Sequence, residues 1–305
     1  MTPKLPERLL ADLPLRAQPV AIADAVDNLV VCRTRGGRIA AFIPQVGAPE
    51  GIGVEGQERH LSLRNLAVFD AAGACVRKAT HELAAPSSIH DLEGGVTGRA
   101  ADVGDLHWSW PTAGIDDDDA LAGELSPIHG ATLAVVELEA LSIPAAAFIP
   151  TSPGPRFINF GSFIQGLGVH DPQSGAWRQD AGGEVYFLAP VYPPHRGTIV
   201  AVDLYIADHS DADGCDVSGR LDRIDRRRAV IELVRMRSRG ARGRQDLVHA
   251  GIIGHAVDTN ADAFHIHVTW QFPPTPHQQD LRLYGARVRC LPRQLTYIGG
   301  PPRRR

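Results

Sequence analysis

From about Leu141 to Cys290 the chain reads as roughly eight short strand-like segments divided by turn signals, a run that leaves few folds open. The segments are Glu184–Pro190, Gly197–Ile206, Cys215–Ile224, Ala229–Arg237, Leu247–Ile253, Ala263–Phe272 and Leu281–Cys290, preceded by an opening stretch, Ala140 to Pro150. Several alternate cleanly. Phe264, Ile266, Val268 and Trp270 share one apolar face, while His265, His267 and Thr269 look the other way. Leu281, Leu283 and Gly285 repeat the pattern, with Arg282 on the polar side. Asp225-Arg226-Arg227-Arg228 has the makings of a turn between two strands. No long stretch follows a 3.6-residue apolar period. The pattern predicts an antiparallel β-sandwich of jelly-roll type.

The first half repeats the style with less regularity. Candidate strands are Leu29–Thr34, Arg38–Ile43, Leu61–Phe69, Cys75–Thr80, Asp105–Trp110 and Ala131–Glu139. Asp70-Ala71-Ala72-Gly73 is a hairpin turn by composition, because Asp and Gly tolerate the backbone angles such turns need. The predicted fold class is therefore all-β, with two β-sandwich domains, the C-terminal one jelly-roll-like, and extended terminal arms. The predicted division is an N-terminal arm over 1–28, a β-rich domain over 29–139, a jelly-roll domain over 140–295 and an Arg-rich tail over 296–305. Pro6 to Leu13 has the composition of a short helix within the first arm.

Net charge is -4, so the molecule as a whole is no polycation, and nucleic acid is an unfavoured partner. Of 31 basic residues only Lys4 and Lys78 are lysine, a bias that reflects a GC-rich coding sequence before it reflects physics. No apolar run approaches the ~18 residues of a membrane span. The N-terminus lacks a charged region followed by an apolar one, so the expectation is cytoplasmic synthesis without a signal peptide, with a virion or released particle as destination. Cys32, Cys75, Cys215 and Cys290 are far apart in sequence and make no CxxC motif. Cys215 and Cys290 fall in strand segments, as buried thiols ahead of a disulfide.

Three segments carry a resemblance: Ile143 to Pro150 (IPAAAFIP), Phe187 to Asp208 (FLAPVYPPHRGTIVAVDLYIAD) and Asp280 to Cys290 (DLRLYGARVRC). Together they resemble a recurring bacterial and phage tail-fibre-like β-sandwich (jelly-roll) module found in exported proteins of unknown function. The resemblance covers about half the chain. It departs at Pro193-Pro194-His195-Arg196 and in the Arg-rich middle, and residues 1–139 resemble nothing familiar. Its motifs are packing and turn motifs, so what it implies is fold rather than activity.

Candidate chemistry is sparse. In a strand, His265 and His267 point to the same side, about 6–7 Å apart, and two imidazoles so placed can share a metal ion. A third ligand from His249, His255 or His195 would complete a zinc site suited to a hydratase or hydrolase. The segment around the two histidines (FHIHVTW) is similar to the two-histidine strand of α-type carbonic anhydrases, and the similarity stops there. Alternatively, each of several chains in an oligomer contributes the pair to one ion, zinc or iron, on a symmetry axis. The plain alternative is two histidines on a solvated strand face.

Asp208 to Gly214 and Asp116 to Asp119 are acidic loops that calcium could use, although the position twelve residues into an EF-hand register is Gly219 where Glu is required. Arg220 to Arg244 holds ten Arg. Arg235, Arg237 and Arg239 alternate onto one face of a strand and its extension, where they could meet phosphate, a sulfated sugar or an acidic surface. Trp108 and Trp110 likewise share one side of a strand and, with Trp177 and Tyr192, are candidates for a sugar-stacking platform as well as for a core contact.

Neither a nucleophile elbow, a P-loop, a GxGxxG after a strand nor HExxH occurs. The expected function is a structural or adhesive subunit of a larger symmetric assembly, such as a phage or phage-tail-like particle, rather than an enzyme. The expected partners are further copies of the chain (a trimer or higher), other assembly subunits and a glycan, with no membrane. The rivals are a carbohydrate- or receptor-binding module and a metal-dependent hydrolase or hydratase built on His265 and His267.

Overall fold

The computed structural model describes residues 4–12, 25–33, 38–47, 60–78, 83–88, 133–151, 157–159, 161–166, 169–170, 177–178, 183–208, 216–238, 245–250, 254–272 and 281–298. The chain divides into two compact units, one of residues 1–139 with 291–305 and one of residues 140–290. The protein is all-β; among the described residues its α-helical content is one short helix, α1 (Glu7–Asp12). No helix among the described residues is long and apolar enough to cross a membrane.

The first unit is built on β1 (Leu29–Arg33), β2 (Ile39–Gly47), β3 (His60–Phe69), β4 (Cys75–Lys78), β5 (Leu83–Ser88) and β6 (Leu133–Val136). The neighbouring residues Val30 and Val31 point to opposite faces of the sheet, and both are fully buried, as are Ala40, Ala41 and Ile43 on β2. Both faces are therefore covered at β1 and β2, and these two strands read as apolar runs instead of alternating ones. The predicted hairpin between β3 and β4 forms. Asp70 Oδ1 accepts the backbone N–H groups of Ala72 at 2.9 Å and Ala74 at 2.8 Å. Gly73 takes φ +80°, and a Cβ there would lie 2.7 Å from Leu10 Cδ1. Part of the predicted N-terminal arm thus packs on the first unit: Leu5 and Leu9 are buried, and the Leu5 N–H donates to the Gly73 carbonyl.

The second unit carries β7 (Glu139–Pro144), β8 (Ile149–Pro150), β9 (Phe157–Asn159), β10 (Ile164–Gly166), β11 (Val169–His170), β12 (Trp177–Arg178), β13 (Gly183–Val191), β14 (Thr198–Asp208), β15 (Asp216–Ile224), β16 (Val230–Arg237), β17 (Gln245–Ala250), β18 (His255–Ala256), β19 (Ala263–Phe272) and β20 (Leu281–Leu291). One sheet has five strands in the order β16-β15-β19-β13-β8. The other has seven, running β17-β14-β20-β10-β9 with β18 on β14 and β7 on β20. From β13 to β20 the chain passes repeatedly from one sheet to the other, and among the described residues only β15–β16 is a simple hairpin. That crossing is the jelly-roll habit.

Inward residues of both sheets make one core. Val185, Phe187 and Ala189 from β13 and Ile266, Val268 and Trp270 from β19 meet Val202, Leu204 and Ile206 from β14 and Val288 and Cys290 from β20. The Phe187 and Trp270 rings lie 4.8 Å apart at 60°, the tilted arrangement that aromatic quadrupoles favour. Each large side chain fully buried here contributes about 1.5–3 kcal/mol by leaving water. Cys290 is a buried thiol in this core.

After β20 the chain returns to the first unit, where β21 (Tyr297–Ile298) pairs with β6, placing Tyr297 opposite Val136. The second compact unit closes at Cys290. The expected tail over 296–305 accordingly begins with a strand. A seven-stranded sheet results, β21-β6-β1-β2-β3-β4, with β5 beside β3.

Candidate functional site

The residues singled out on β19 and β16 come together on the outward face of the five-stranded sheet. Cross-strand register sets the rows. Ile149, Leu188, His267, Arg220 and Arg235 stand side by side across β8, β13, β19, β15 and β16. The next row is Pro190, His265, Asp222 and Glu232. A further row holds Tyr186, Thr269, Ser218 and Arg237. A bulge between Leu221 and Asp222 and their β16 partners makes Leu233 the extra residue, which keeps Glu232 and Arg235 on one face.

At the centre of the face is Asp222, whose side chain is 1% exposed. Arg220 Nε lies 2.8 Å and His265 Nε2 3.2 Å from its Oδ2. Among the described residues neither Asp222 oxygen nor Arg220 Nε has a partner in hydrogen-bond alignment, so charge holds this cluster more than directional bonds do. Burial pushes the His265 imidazole below its ordinary range, against the opposing pull of Asp222. Burial also lowers His267, and the Arg220 guanidinium lowers it further. The His267 ring stacks on Tyr186 with centroids 5.4 Å apart and planes 10° from parallel. Tyr186 in turn donates its hydroxyl to Glu184, which raises the phenol's pKa.

The predicted pair of histidines therefore shares a face, with one imidazole turned to a carboxylate and the other to an aromatic ring. The other histidines proposed to join them lie elsewhere. His255 is buried on β18 and meets Phe264, an inward residue of β19, edge-on at 5.8 Å. His195 sits in an end loop, with Nδ1 3.0 Å from Thr259 Oγ1. The His249 side chain lies outside the described residues. Among the described residues no group of three or more His, Cys, Asp or Glu could hold a metal ion.

Arg235 and Arg237 do share the outward face, as expected. Arg235 forks onto the Glu232 carboxylate, with Nη2 2.6 Å from Oε2. That pair lowers the Glu232 pKa and raises that of Arg235. Trp108 and Trp110, the acidic stretch 116–119 and the loop 209–214 lie outside the described residues, as does the Trp177 side chain. Tyr192 is 81% exposed.

A second feature, on the outward face of the seven-stranded sheet, escaped the sequence reading. Gly285 on β20 has φ +144°, and a Cβ there would come within 2.4 Å of the Ile143 carbonyl oxygen. The strand changes parity at this point: Leu283 is in the core before it, and Ala286, Val288 and Cys290 are in the core after it. Tyr284 and Arg287, three residues apart, consequently leave the sheet on the same side. The Arg287 guanidinium lies 5.6 Å over the Tyr205 ring, and Tyr284 packs at 5.8 Å on Phe163, which Arg282 covers at 5.4 Å. Ser142, Pro144, Tyr205, Tyr284 and Arg287 line a groove of about 690 Å³. A glycine inside a strand pattern was the available signal for the bulge.

No family model matches the chain, and no curated protein matches it. Solved structures give distant likenesses. The isomalto-dextranase of Arthrobacter globiformis T6 complexed with panose is 16% identical, over 49% of this chain and 23% of its own, with a TM-score of 0.26. The structure of infectious bursal disease virus Gx strain is 6% identical, over 90% of this chain and 52% of its own, with a TM-score of 0.27. A structure described for the promiscuous specificity of carbohydrate-binding modules of the β-sandwich superfamily is 12% identical, over 93% and 99%, with a TM-score of 0.22. The chain thus spans 23% and 52% of the first two. At these scores the likenesses establish neither family nor function.

Proposed function

We propose that this chain is a structural and adhesive subunit of a larger symmetric assembly, such as a phage or phage-tail-like particle. The observation that supports this reading is the outward face of the five-stranded sheet. Its central row runs from the exposed aliphatic Ile149 through Leu188 and His267 to Arg220 and Arg235, and exposed Val230 lies on β16 beyond it. Aromatic residues and Arg are enriched in protein interfaces, and Lys is depleted. The edges of the same sheet discourage strand-to-strand pairing. Arg235 and Arg237 stand on edge strand β16, and at the other edge β8 is two residues long and ends in Pro150. Association in this reading goes face-on, with a closed symmetry of three or more copies.

The test is molar mass in solution by light scattering on a sizing column. A defined trimer or larger closed species is expected, reduced to smaller species by Ile149→Asp, a change at a position 63% exposed. A folded chain that stays monomeric at every concentration overturns self-assembly.

A further inference from the structure

We propose that one end of the second unit's sandwich, formed by three loops, binds a sulfated polysaccharide. The inference rests on the adhesive half of the reading above and supplies its ligand. The loops are 192–197 between β13 and β14, 225–229 between β15 and β16, and 257–262 between β18 and β19. Strands β16, β15, β19 and β13 are consecutive neighbours in one sheet, so the loops form a row three strand spacings long, ~14 Å. Polar contacts tie the row together. Arg226 Nη2 donates to the Asn260 carbonyl at 3.4 Å, His195 Nδ1 lies 3.0 Å from Thr259 Oγ1, and the Arg196 N–H donates to the Val257 carbonyl at 3.0 Å.

The charge of this row runs against that of the molecule. The chain carries -4, yet the three loops hold Arg196, Arg226, Arg227 and Arg228, all exposed. The carboxylates nearby are occupied elsewhere. Asp225 Oδ1 accepts the backbone N–H groups of Arg227 and Ala229. Asp258 accepts the Asn260 N–H and faces His195 at 4.0 Å, and Asp262 pairs with Arg223 at 3.5 Å. Among the described residues no carboxylate pairs with any of the four guanidiniums. A planar guanidinium forks onto a tetrahedral oxyanion with two parallel hydrogen bonds. Over so short a row, four of them match more than one anionic group per sugar ring. Sulfate esters supply that density, and a uronic-acid chain, with one carboxylate per ring, does not. Tyr192, 81% exposed at the β13 end of the row, offers a flat face to the C–H face of a pyranose. It is the one exposed large apolar side chain in the three loops, so this end lacks the hydrophobic centre of a protein interface.

The backbone points the same way. Arg196 and Arg228 have φ +62° and +64°, angles that glycine adopts without penalty. Each arginine side chain is therefore present at a cost in stability, as at positions where the side chain has a task. Buried Pro193 and the Gly197 N–H bond to the Pro194 carbonyl fix the loop that carries Tyr192 and Arg196, which reduces the entropy lost on binding.

Isothermal titration of the full chain with a sulfated dextran oligosaccharide tests the assignment, with unsulfated dextran of the same length, tetragalacturonate and hexaglutamate as comparisons. The sulfated sugar is expected to bind at least tenfold more tightly than each of the others, and more weakly as salt rises. The double variant Arg196→Gly/Arg228→Gly should bind it at least tenfold more weakly while unfolding at the wild-type temperature or above, which separates lost binding from lost folding. Tyr192→Ala should weaken binding severalfold, and Lys4→Ala, in the first unit, should leave it unchanged. No binding by folded wild-type protein overturns the proposal, as does undiminished binding by the double variant. Equal affinity for dextran or tetragalacturonate overturns the sulfate requirement, and equal affinity for hexaglutamate makes the partner an acidic protein instead. Light scattering on the same samples reports assembly separately: an intact oligomer that binds no sugar defeats this inference and leaves the assembly reading standing.

Discussion

Arg289 Nε donates to Asp203 Oδ2 at 2.9 Å, across the neighbouring strands β20 and β14. The two side chains are 2% and 0% exposed. They sit on the sheet face away from the core, since Val202, Leu204, Val288 and Cys290 on either side of them point inward. Removing either partner breaks a buried ion pair. Asp203→Ala or Arg289→Ala should therefore cost about 3–5 kcal/mol in a denaturant titration. Replacing both with Leu and Met should recover most of that loss, because it also removes the desolvation cost of the pair. A single variant with unchanged stability would show that the pair is not buried in solution.

Acid should destabilise the second unit earlier than carboxylate chemistry alone would. Burial lowers the pKa of His255, His265 and His267; at His255 Arg223 adds to the effect and Asp262 opposes it. The unfolded imidazoles, at about 6.5, then take up protons before the folded ones do. Their contribution to stability is complete above about pH 7.5 and declines as pH falls through about 6.5 towards the lowered folded-state values. Urea midpoints measured from pH 8 to pH 5.5 should fall, and His255→Gln should flatten the slope. An unchanged slope in that variant would remove His255 from the account.

Two left-handed positions should respond in opposite directions to substitution. Gly285→Ala forces a Cβ against the Ile143 carbonyl oxygen at φ +144°, and should cost at least about 1–3 kcal/mol. Arg228 takes φ +64° at the β15–β16 turn without being glycine. Arg228→Gly should stabilise the protein by roughly 0.5–1 kcal/mol, since relief of the left-handed penalty exceeds the added entropy of the unfolded chain. Thermal unfolding of both variants reads the signs directly.

Truncation after Cys290 should weaken the first unit and spare the second. It removes β21, which pairs with β6, and the Thr296 carbonyl that accepts from the Glu137 N–H. It also removes the Leu291 and Arg293 carbonyls to which Arg8 donates. Hydrogen exchange should show β1 and β6 losing protection while β13 and β19 retain theirs. Equal loss in both units would mean that they unfold as one.

Turns were the most legible part of the chain. The β3–β4 and β15–β16 connections share one design, in which an aspartate at the first position accepts two backbone N–H groups. That chemistry is local and needs no tertiary partner. The alternation of β19 was equally plain, so the shared face of His265 and His267 followed from period two alone. Parity along β20 was not: Leu281, Leu283 and Gly285 read as one continuous alternation, and the bulge at Gly285 reverses it. Nor could spacing reveal that His265 would meet Asp222 from a strand some forty residues earlier, since register between strands is a long-range property.

The all-β class, the approximate strand positions and the turn residues were determined by the sequence alone, because hydrophobic period and turn chemistry act over a few neighbouring residues. The tertiary structure decided which charges are neighbours, that the last strand returns to the first unit, and that Tyr284 and Arg287 open onto one groove. Those outcomes depend on strand pairing across long loops and on a single backbone angle at Gly285, where contact with Ile143 excludes any side chain.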